Sequence, residues 1–391
     1  MPFVERGYDL GAWLRRVETK DEIVVHNSDF LLEFGGGEEE EEEGGGEGGV
    51  MKGVVFTGPR KAVASRLPPP VPLLPDEVRI KATCSLVSTG TEVKVFTGTL
   101  AESGEPLDTT IKGMSEDAGG YPFSYGYSSV GTIVEIGVNV PDHYLSKTAF
   151  TFSPHASIVT VDYTSVQLVP PGMSASTATF LPAVETALSL VHDASVVPGE
   201  RVGVVGQGLI GLLVTGILGR MDVDVVTYEI LEERRGLSPL FGAGTVLDPR
   251  TDYATTVKSA DLDVCIEVTG APAGLQTAID SVGRYGRVVV GSMYGEDPLP
   301  VTLGLNFHRS RKTLIASQVS EVPCDRGGRW SKGRRFEKCW KVLAELPVER
   351  LVSVRVGVDE CQRVYEMLER GEGVSAIFEY PPVNHAHTHR P

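Results

Sequence analysis

Glu200-Arg-Val-Gly-Val-Val-Gly-Gln-Gly-Leu-Ile-Gly-Leu-Leu-Val214 decides the fold of this 391-residue chain. Arg201 to Val205 is a short β-branched apolar run, the pattern of a parallel strand buried on both faces. Gly206, Gly208 and Gly211 follow in G-x-G-x-x-G spacing, and Leu209 to Leu218 then runs apolar at helical length. Each glycine has its own task. The first permits the tight turn, the second lets a pyrophosphate approach the backbone, and the third lets helix and strand pack closely. The opening helical turn, with Leu209 and Ile210, offers unpaired N–H groups and a positive dipole end to that pyrophosphate.

The context around the triplet is complete. A second apolar run, Val223 to Tyr228, ends on Glu229. An acidic side chain there accepts hydrogen bonds from both ribose hydroxyls of an adenosine and repels a 2′-phosphate, so NAD(H) is favoured. NADP(H) stays possible, because a nearby arginine such as Arg234 or Arg235 can serve a 2′-phosphate. The first expectation for both arginines is a solvated place on the next helix.

Length suits two domains, each with its own core. A net charge of −16 argues against nucleic-acid binding. No uninterrupted apolar run reaches membrane-spanning length, so a small molecule is the expected partner. The five cysteines (Cys84, Cys265, Cys324, Cys339 and Cys361) are scattered without a C-x-x-C pair, which reads as reduced thiols and no structural zinc lobe. The N-terminus lacks a secretory pattern and is too acidic for an organelle transit peptide, so the expected location is cytoplasmic.

Residues 1–50 form an extension whose Gly35–Gly49 tract carries six consecutive glutamates. Self-repulsion and glycine entropy predict a disordered linker there rather than an acidic partner-binding tail. From Met51 to about Pro171 short strands alternate with turn chemistry: Met51 to Thr57, Glu77 to Thr83, Gly131 to Gly137 and His155 to Val161. Residues 99–122 read as a long surface loop. Glu185 to Ala194 reads as a helix into the nucleotide domain. Further strands at Gly244–Leu247, Asp263–Val268, Arg287–Val290 and Thr313–Ser317, with helices between them, make a six-stranded doubly wound parallel sheet. Gly236 and Pro239 predict a short or irregular helix over Glu232–Phe241.

After Val319 the chain turns basic through Arg326, Arg329, Lys332, Arg334, Arg335, Lys338 and Lys341. This reads as a solvated face, with a cationic rim for an acidic substrate as the alternative. Strand Val352–Val358, helix Asp359–Arg370 and strand Ser375–Tyr380 follow, then a histidine-bearing tail over 383–391. The expected domains are 51–183 with 320–382, mostly β, and 184–319, binding the dinucleotide.

Met51-Lys-Gly-Val-Val-Phe-Thr-Gly, Pro75-Asp-Glu-Val-Arg-Ile-Lys-Ala, Gly126-Tyr-Ser-Ser-Val-Gly-Thr-Ile-Val-Glu-Ile-Gly, Thr186-Ala187 and the glycine fingerprint together resemble the medium-chain dehydrogenase/reductase superfamily. That group holds the zinc alcohol dehydrogenases and the zinc-free quinone and enoyl reductases. The resemblance implies an α/β chain: a GroES-like mostly-β domain, completed by the C-terminal segment, plus a Rossmann domain. It places the active site between them.

The family's three zinc-ligand places fall here on Thr89, Tyr127 and Pro182, none a usual zinc ligand, so no catalytic zinc is expected. Cys84 sits five residues early and reads as a buried strand cysteine. Ser88-Thr-Gly-Thr-Glu and Tyr125-Gly-Tyr-Ser-Ser-Val-Gly are similar to a narrower branch that includes a dehydrogenase of a hydroxyethyl side chain on the bacteriochlorophyll macrocycle.

Hydride transfer without zinc needs side chains that polarise the substrate. The resemblance implies Tyr127 as first candidate, either donating to a carbonyl oxygen or filling the volume a metal would take. Thr89 and Ser128 are further hydrogen-bonders or backbone caps, and Glu92 matches an acid that supports the family's metal site. His308 precedes the last sheet strand, as a proton relay or a structural residue; His155 is a weaker candidate. Thr186, Thr269 and Ser292 are implied nicotinamide and ribose contacts. The resulting expectation is a zinc-independent NAD(P)-dependent oxidoreductase acting on an alcohol/carbonyl or a conjugated alkene, with a homodimer as the expected assembly. The alternatives are the macrocycle side-chain dehydrogenase and a catalytically inactive NAD(P)-sensing binding protein.

Overall fold

The computed structural model describes residues 50–100, 120–294, 298–322 and 328–381. The expected Gly/Glu linker, most of the expected 99–122 loop and the C-terminal tail lie outside the described residues. The fingerprint region forms as its composition requires. Strand β8 (Arg201–Val205) buries every residue after Arg201, and Leu209–Leu218 is a helix buried on nearly all sides. Strands β9 (Asp224–Tyr228), β10 (Thr245–Leu247), β11 (Leu262–Glu267), β12 (Val282–Val290) and β13 (Thr313–Ala316) join β8 in the order β10-β9-β8-β11-β12-β13, all parallel. The order reverses between β8 and β11. A crevice opens there at the carboxyl ends of the strands, the place where such sheets take ligands.

The mostly-β domain holds a hairpin, β1 (Lys52–Gly58) with β2 (Lys61–Arg66), and a seven-stranded sheet. The centre of that sheet is β3 (Glu77–Leu86). It pairs antiparallel with β4 (Ser129–Ile136), with β6 (Ile158–Asp162) and with β15 (Ser375–Glu379). Strand β5 (Thr148–Thr151) and the two-residue β7 (Gln167–Leu168) extend one side, and β14 (Val352–Gly357) lies parallel to β15 on the other. The last strands of the chain therefore complete the sheet begun by the first, giving a GroES-like domain beside a Rossmann domain.

Helix Leu181–Ala194 joins the two. Leu181, Val184, Leu188 and Val191 share one buried cluster with Leu86, Val130 and Phe150 of the β domain and with Val202, Ile266 and Val289 of the parallel sheet. It starts four residues before the expected Glu185, because Pro182 in its first turn has no N–H to satisfy and a pre-set φ. A second helix, Lys332–Leu343, packs into the same cluster through Cys339, Val342 and Leu343. Its Arg335 is buried and donates to the Glu185 carboxylate at 2.7 and 2.9 Å. That corrects the reading of the basic stretch as solvated, at least at this residue. Arg334 instead lies over the Trp330 ring, 4.4 Å from its centroid.

Two local departures have plain causes. Strand β12 begins at Val282 rather than Arg287; a bulge against β11 carries the chain through Tyr285 at φ 63° before the regular ladder resumes. Within the β domain Thr89–Thr97 is a helix, begun after Ser88 and ended by Gly98 at φ 88°. The expected irregular helix is short: Glu232–Leu237, followed by a 3₁₀ turn over Ser238–Phe241.

Candidate active site

The glycine turn is built for close approach. Gly206 has φ 94°, and a Cβ on it would stand 2.8 Å from Thr269 Cγ2. A Cβ on Gly211 would stand 1.8 Å from the Gly206 carbonyl oxygen, so helix and strand touch backbone to backbone. Gly208 differs. A Cβ there would meet only Arg234 Nη1, at 3.7 Å. The space over Gly208 is open, as a pyrophosphate on the helix N-terminus requires. These residues fit a dinucleotide.

Glu229 ends β9 with its carboxylate turned inward, 6% exposed. One oxygen accepts the Gln207 N–H at 2.6 Å, and the other accepts the N–H groups of Ile230 and Leu231 at 2.8 and 2.9 Å. Glu229 thus ties the glycine turn to the end of β9 and keeps spare acceptor capacity on one oxygen. Thr269 and Ser292 sit at the ends of β11 and β12. The Thr269 hydroxyl donates to Glu267 at 2.5 Å, and Ser292 Oγ accepts the Gly270 N–H at 2.7 Å. Both lie along the crevice with Gly206.

Neither arginine after Glu229 is simply solvated, which corrects that reading. Arg234 donates to the Gly371 and Gly373 carbonyls of the β domain, and Arg235 to the Glu229 carbonyl and to Asp248. Arg250 holds the Asp248 carboxyl down at about 2, chiefly by hydrogen bonding. Lys94, on the helix of the β domain, reaches the Met293 carbonyl across the cleft, and burial lowers its pKa.

Opposite the glycine turn, Tyr127 and Ser88 from the β domain line one pocket with Pro182 and Thr186 of the joining helix and with Leu209 and Ile210 of the fingerprint. The Tyr127 phenol donates to Ser88 Oγ and lies 3.4 Å from Thr91 Oγ1. Thr89 does not join them. Its hydroxyl donates to the Val374 carbonyl at 2.7 Å, tying the helix start to the C-terminal segment. Ser128 likewise spends its hydroxyl on the Thr179 carbonyl. Glu92 is fully buried behind the pocket, accepting from the Ser88 N–H at 2.7 Å and bonded to His155 and Tyr365.

His308 is not brought to this group either. It is exposed in the short helix Leu305–Arg309, beside the edge strand β13, three places from β8 in the sheet order. Ser88, Thr91, Tyr365 and Tyr380 were the residues missed. Ser88 was within reach, since a serine four residues before a glutamate at the head of an apolar stretch is close to a helix-start signature. The two tyrosines lie far along the chain and leave no local signal.

The zinc-ligand places of the resembled family do not suit the metal. Thr89 gives its hydroxyl to a carbonyl, Tyr127 presents a phenol and Pro182 has no donor atom. Among the described residues no group of three His, Cys, Asp or Glu side chains is placed to hold a metal ion. Cys84 is buried in β3, and burial pushes its thiol up to about 12. Among the described residues no helix is long and apolar enough to cross a membrane.

Residues 210–329 match a family model described as zinc-binding dehydrogenase. The chain is 26% identical over 309 residues to a D-guloside 3-dehydrogenase of Escherichia coli (strain K12), covering 75% of this chain and 88% of the relative. Its fold is similar to that of galactitol-1-phosphate dehydrogenase from Escherichia coli, with a TM-score of 0.70 at 18% identity, covering 84% of this chain and all of the other. It is also similar to a zinc-binding dehydrogenase from Sinorhizobium meliloti 1021 bound to NADP, with a TM-score of 0.68 at 16% identity over 85% of this chain and all of that one. These relatives lend no support to a macrocyclic substrate or to a catalytically silent sensor. With a dinucleotide cradle facing a pocket of hydroxyl groups, this chain is a nicotinamide-dependent oxidoreductase whose fold is similar to that of the medium-chain dehydrogenases.

Proposed function

We propose that this enzyme oxidises a secondary alcohol of a polyol or sugar, or reduces the matching carbonyl, without a catalytic zinc, and that it prefers NAD(H). One observation carries the reading: the Tyr127 phenol and the first helical turn of the fingerprint line the same small pocket. A bound nicotinamide supplies the hydride acceptor or donor. The residues of this chain do the rest. Leu209 and Ile210 present backbone N–H groups to the pyrophosphate, and Glu229 has the acceptor capacity for an adenosine ribose hydroxyl. Tyr127 donates to the substrate oxygen as negative charge gathers there, or takes the alcohol proton in the other direction. Ser88 and Thr91 flank the phenol and can carry its proton. The sugar and polyol names of the guloside and galactitol phosphate enzymes support the substrate class.

The absence of zinc is inferred from the donor chemistry of Thr89, Tyr127 and Pro182. One tightly held zinc per chain, with activity lost on chelation, would overturn it. A panel of polyols, sugar glycosides and simple secondary alcohols, each with NAD⁺ and NADP⁺, identifies the reaction; a preference for NADP⁺ removes the role given to Glu229. Tyr127→Phe should lower turnover by about 10²–10⁴-fold with cofactor affinity little changed. Unaltered turnover rules out the phenol as the polarising group.

We further propose that the protein is a homodimer formed through β13. That strand ends its sheet, and Leu303, Leu305 and Leu314 are exposed on or beside it. Sedimentation equilibrium showing a monomer at micromolar concentration would remove this assignment.

A further inference from the structure

His155 lies beneath the active-site pocket, 1% exposed, in a string of four buried groups. Its Nε2 is 2.8 Å from Glu92 Oε2, its Nδ1 is 2.7 Å from Ser85 Oγ, and Ser85 Oγ is 2.9 Å from the Tyr380 phenol. Donor accounting fixes the direction. Among the described residues the Tyr380 phenol meets only Ser85, so Tyr380 donates to Ser85 and Ser85 donates to Nδ1. The imidazole Nδ1 then accepts, and its Nε2–H donates to Glu92 Oε2. That carboxylate also accepts the Tyr365 phenol at 2.7 Å and the Ser88 N–H at 2.7 Å. Three donors around a fully buried carboxylate compensate its loss of water.

This assembly grips Tyr127 from two sides. Through Glu92 it holds the Ser88 N–H, and the Ser88 hydroxyl accepts from the Tyr127 phenol. Through the imidazole ring it supports Gly126, the residue before Tyr127. Gly126 has φ 127°, and a Cβ on it would stand 2.8 Å from His155 Cδ2 and 2.9 Å from Nε2. The backbone therefore packs directly against the ring, which stands at 84° to Phe378 with the ring centroids 5.0 Å apart.

We propose that His155, oriented by Ser85 and Glu92, is a positioning residue that sets where the Tyr127 phenol stands in the cleft. The proposal rests on the reading of Tyr127 as the polarising group. His155 does not line the pocket and passes no proton to the phenol, because the route through Ser88 crosses a peptide N–H. Its contribution is geometric, and a displacement near 1 Å at a reacting group can cost on the order of 10²-fold in rate.

The test uses the full chain with ¹³Cζ-labelled tyrosine. The Tyr127 line is assigned by its loss in Tyr127→Phe. In His155→Gln, which keeps an N–H for Glu92 but loses the flat ring under Gly126, that line should shift or split. NADH affinity, read by fluorescence titration, should stay within about twofold, since the glycine turn is untouched. Turnover on the best alcohol of the panel should fall about 10-fold or more, with KM moving less, and the loss should vanish when His155→Gln is combined with Tyr127→Phe. Should His155→Gln fail to fold, Ser85→Ala removes only the hydroxyl on Nδ1, and the same line should move by a smaller amount. An unmoved Tyr127 line overturns the proposal, as does an equal loss of turnover in the Tyr127→Phe background. Full turnover in Tyr127→Phe alone sinks the role of Tyr127 instead, while the shift of its line under His155→Gln would still report the positioning contact.

Discussion

The two walls of the cleft are made in opposite ways. The cofactor wall is one uninterrupted stretch, β8 through the helix Leu209–Leu218, whose glycines act within a few residues of each other. The substrate wall and the buried network behind it gather Ser88, Tyr127, His155, Tyr365 and Tyr380 from four separate parts of the chain, joined by hydrogen bonds that span up to 295 positions. A wall built locally concentrates its requirements in single atoms. One built from afar spreads them over a network, where each member matters through its neighbours.

Substitutions at the second and third glycines break this comparison most sharply. Gly211→Ala drives a methyl to 1.8 Å from the Gly206 carbonyl, backbone that cannot yield, so the nucleotide domain should not form. Gly208→Val places its Cβ 3.7 Å from Arg234 Nη1, an ordinary contact, and should fold with a nearly unchanged Tm. It nevertheless fills the pyrophosphate space, and NADH affinity should fall by at least about 100-fold. Circular dichroism and NADH titration on both proteins separate the two outcomes. Normal NADH binding by Gly208→Val would mean that the cofactor does not use this turn.

A smaller effect belongs to the seam between the walls. Burial pushes the Glu185 carboxyl up, and Arg335 opposes that shift from beside it. Arg335→Ala leaves the carboxylate buried without its partner and should cost about 3–5 kcal/mol in urea unfolding. A loss below about 1 kcal/mol would mean that water reaches the site.

The smallest effect lies at the rim of the cofactor wall. Asp248 is held at about 2 by Arg250, below the ordinary value of about 3.9. A depressed carboxyl contributes stability above its unfolded value and loses it as pH falls from about 4 towards 2. Arg250→Gln should therefore be slightly less stable than the parent at neutral pH, and the gap should close over that acidic range. A gap that stays constant down to pH 2 removes the pair from the acid response.

Legibility followed the same division. Gly206, Gly208, Gly211 and Glu229 could be placed from spacing alone, because strand, turn and helix there are set by near neighbours. The strands of the parallel sheet were readable for the same reason, apart from the bulged start of β12, where Tyr285 takes a backbone shape that no composition announces. Tyr127 was singled out by resemblance, and its hydrogen-bond partners were not. Thr89 looked like a site residue by position, yet it turned its hydroxyl to Val374, a partner 285 residues away. His308 came close to the sheet in sequence but landed at its outer edge. A side chain's direction depends on what tertiary packing brings beside it, and that information is spread over the whole chain.

Strand β15 pairs with β3 although nearly three hundred residues separate them, and this has a consequence for synthesis. On the ribosome, domains generally form in the order in which they emerge. Here the first domain to emerge cannot finish. Its central strand keeps an open edge from Cys84 to Leu86 until residues 375–379 have been translated, and an open edge invites pairing with foreign chains. The parallel sheet, contiguous between Arg201 and Ala316, can close while the β domain still waits. Tyr365 and Tyr380 arrive with that final segment, so a stalled or clipped chain would carry a formed cofactor cradle with an incomplete buried network opposite it.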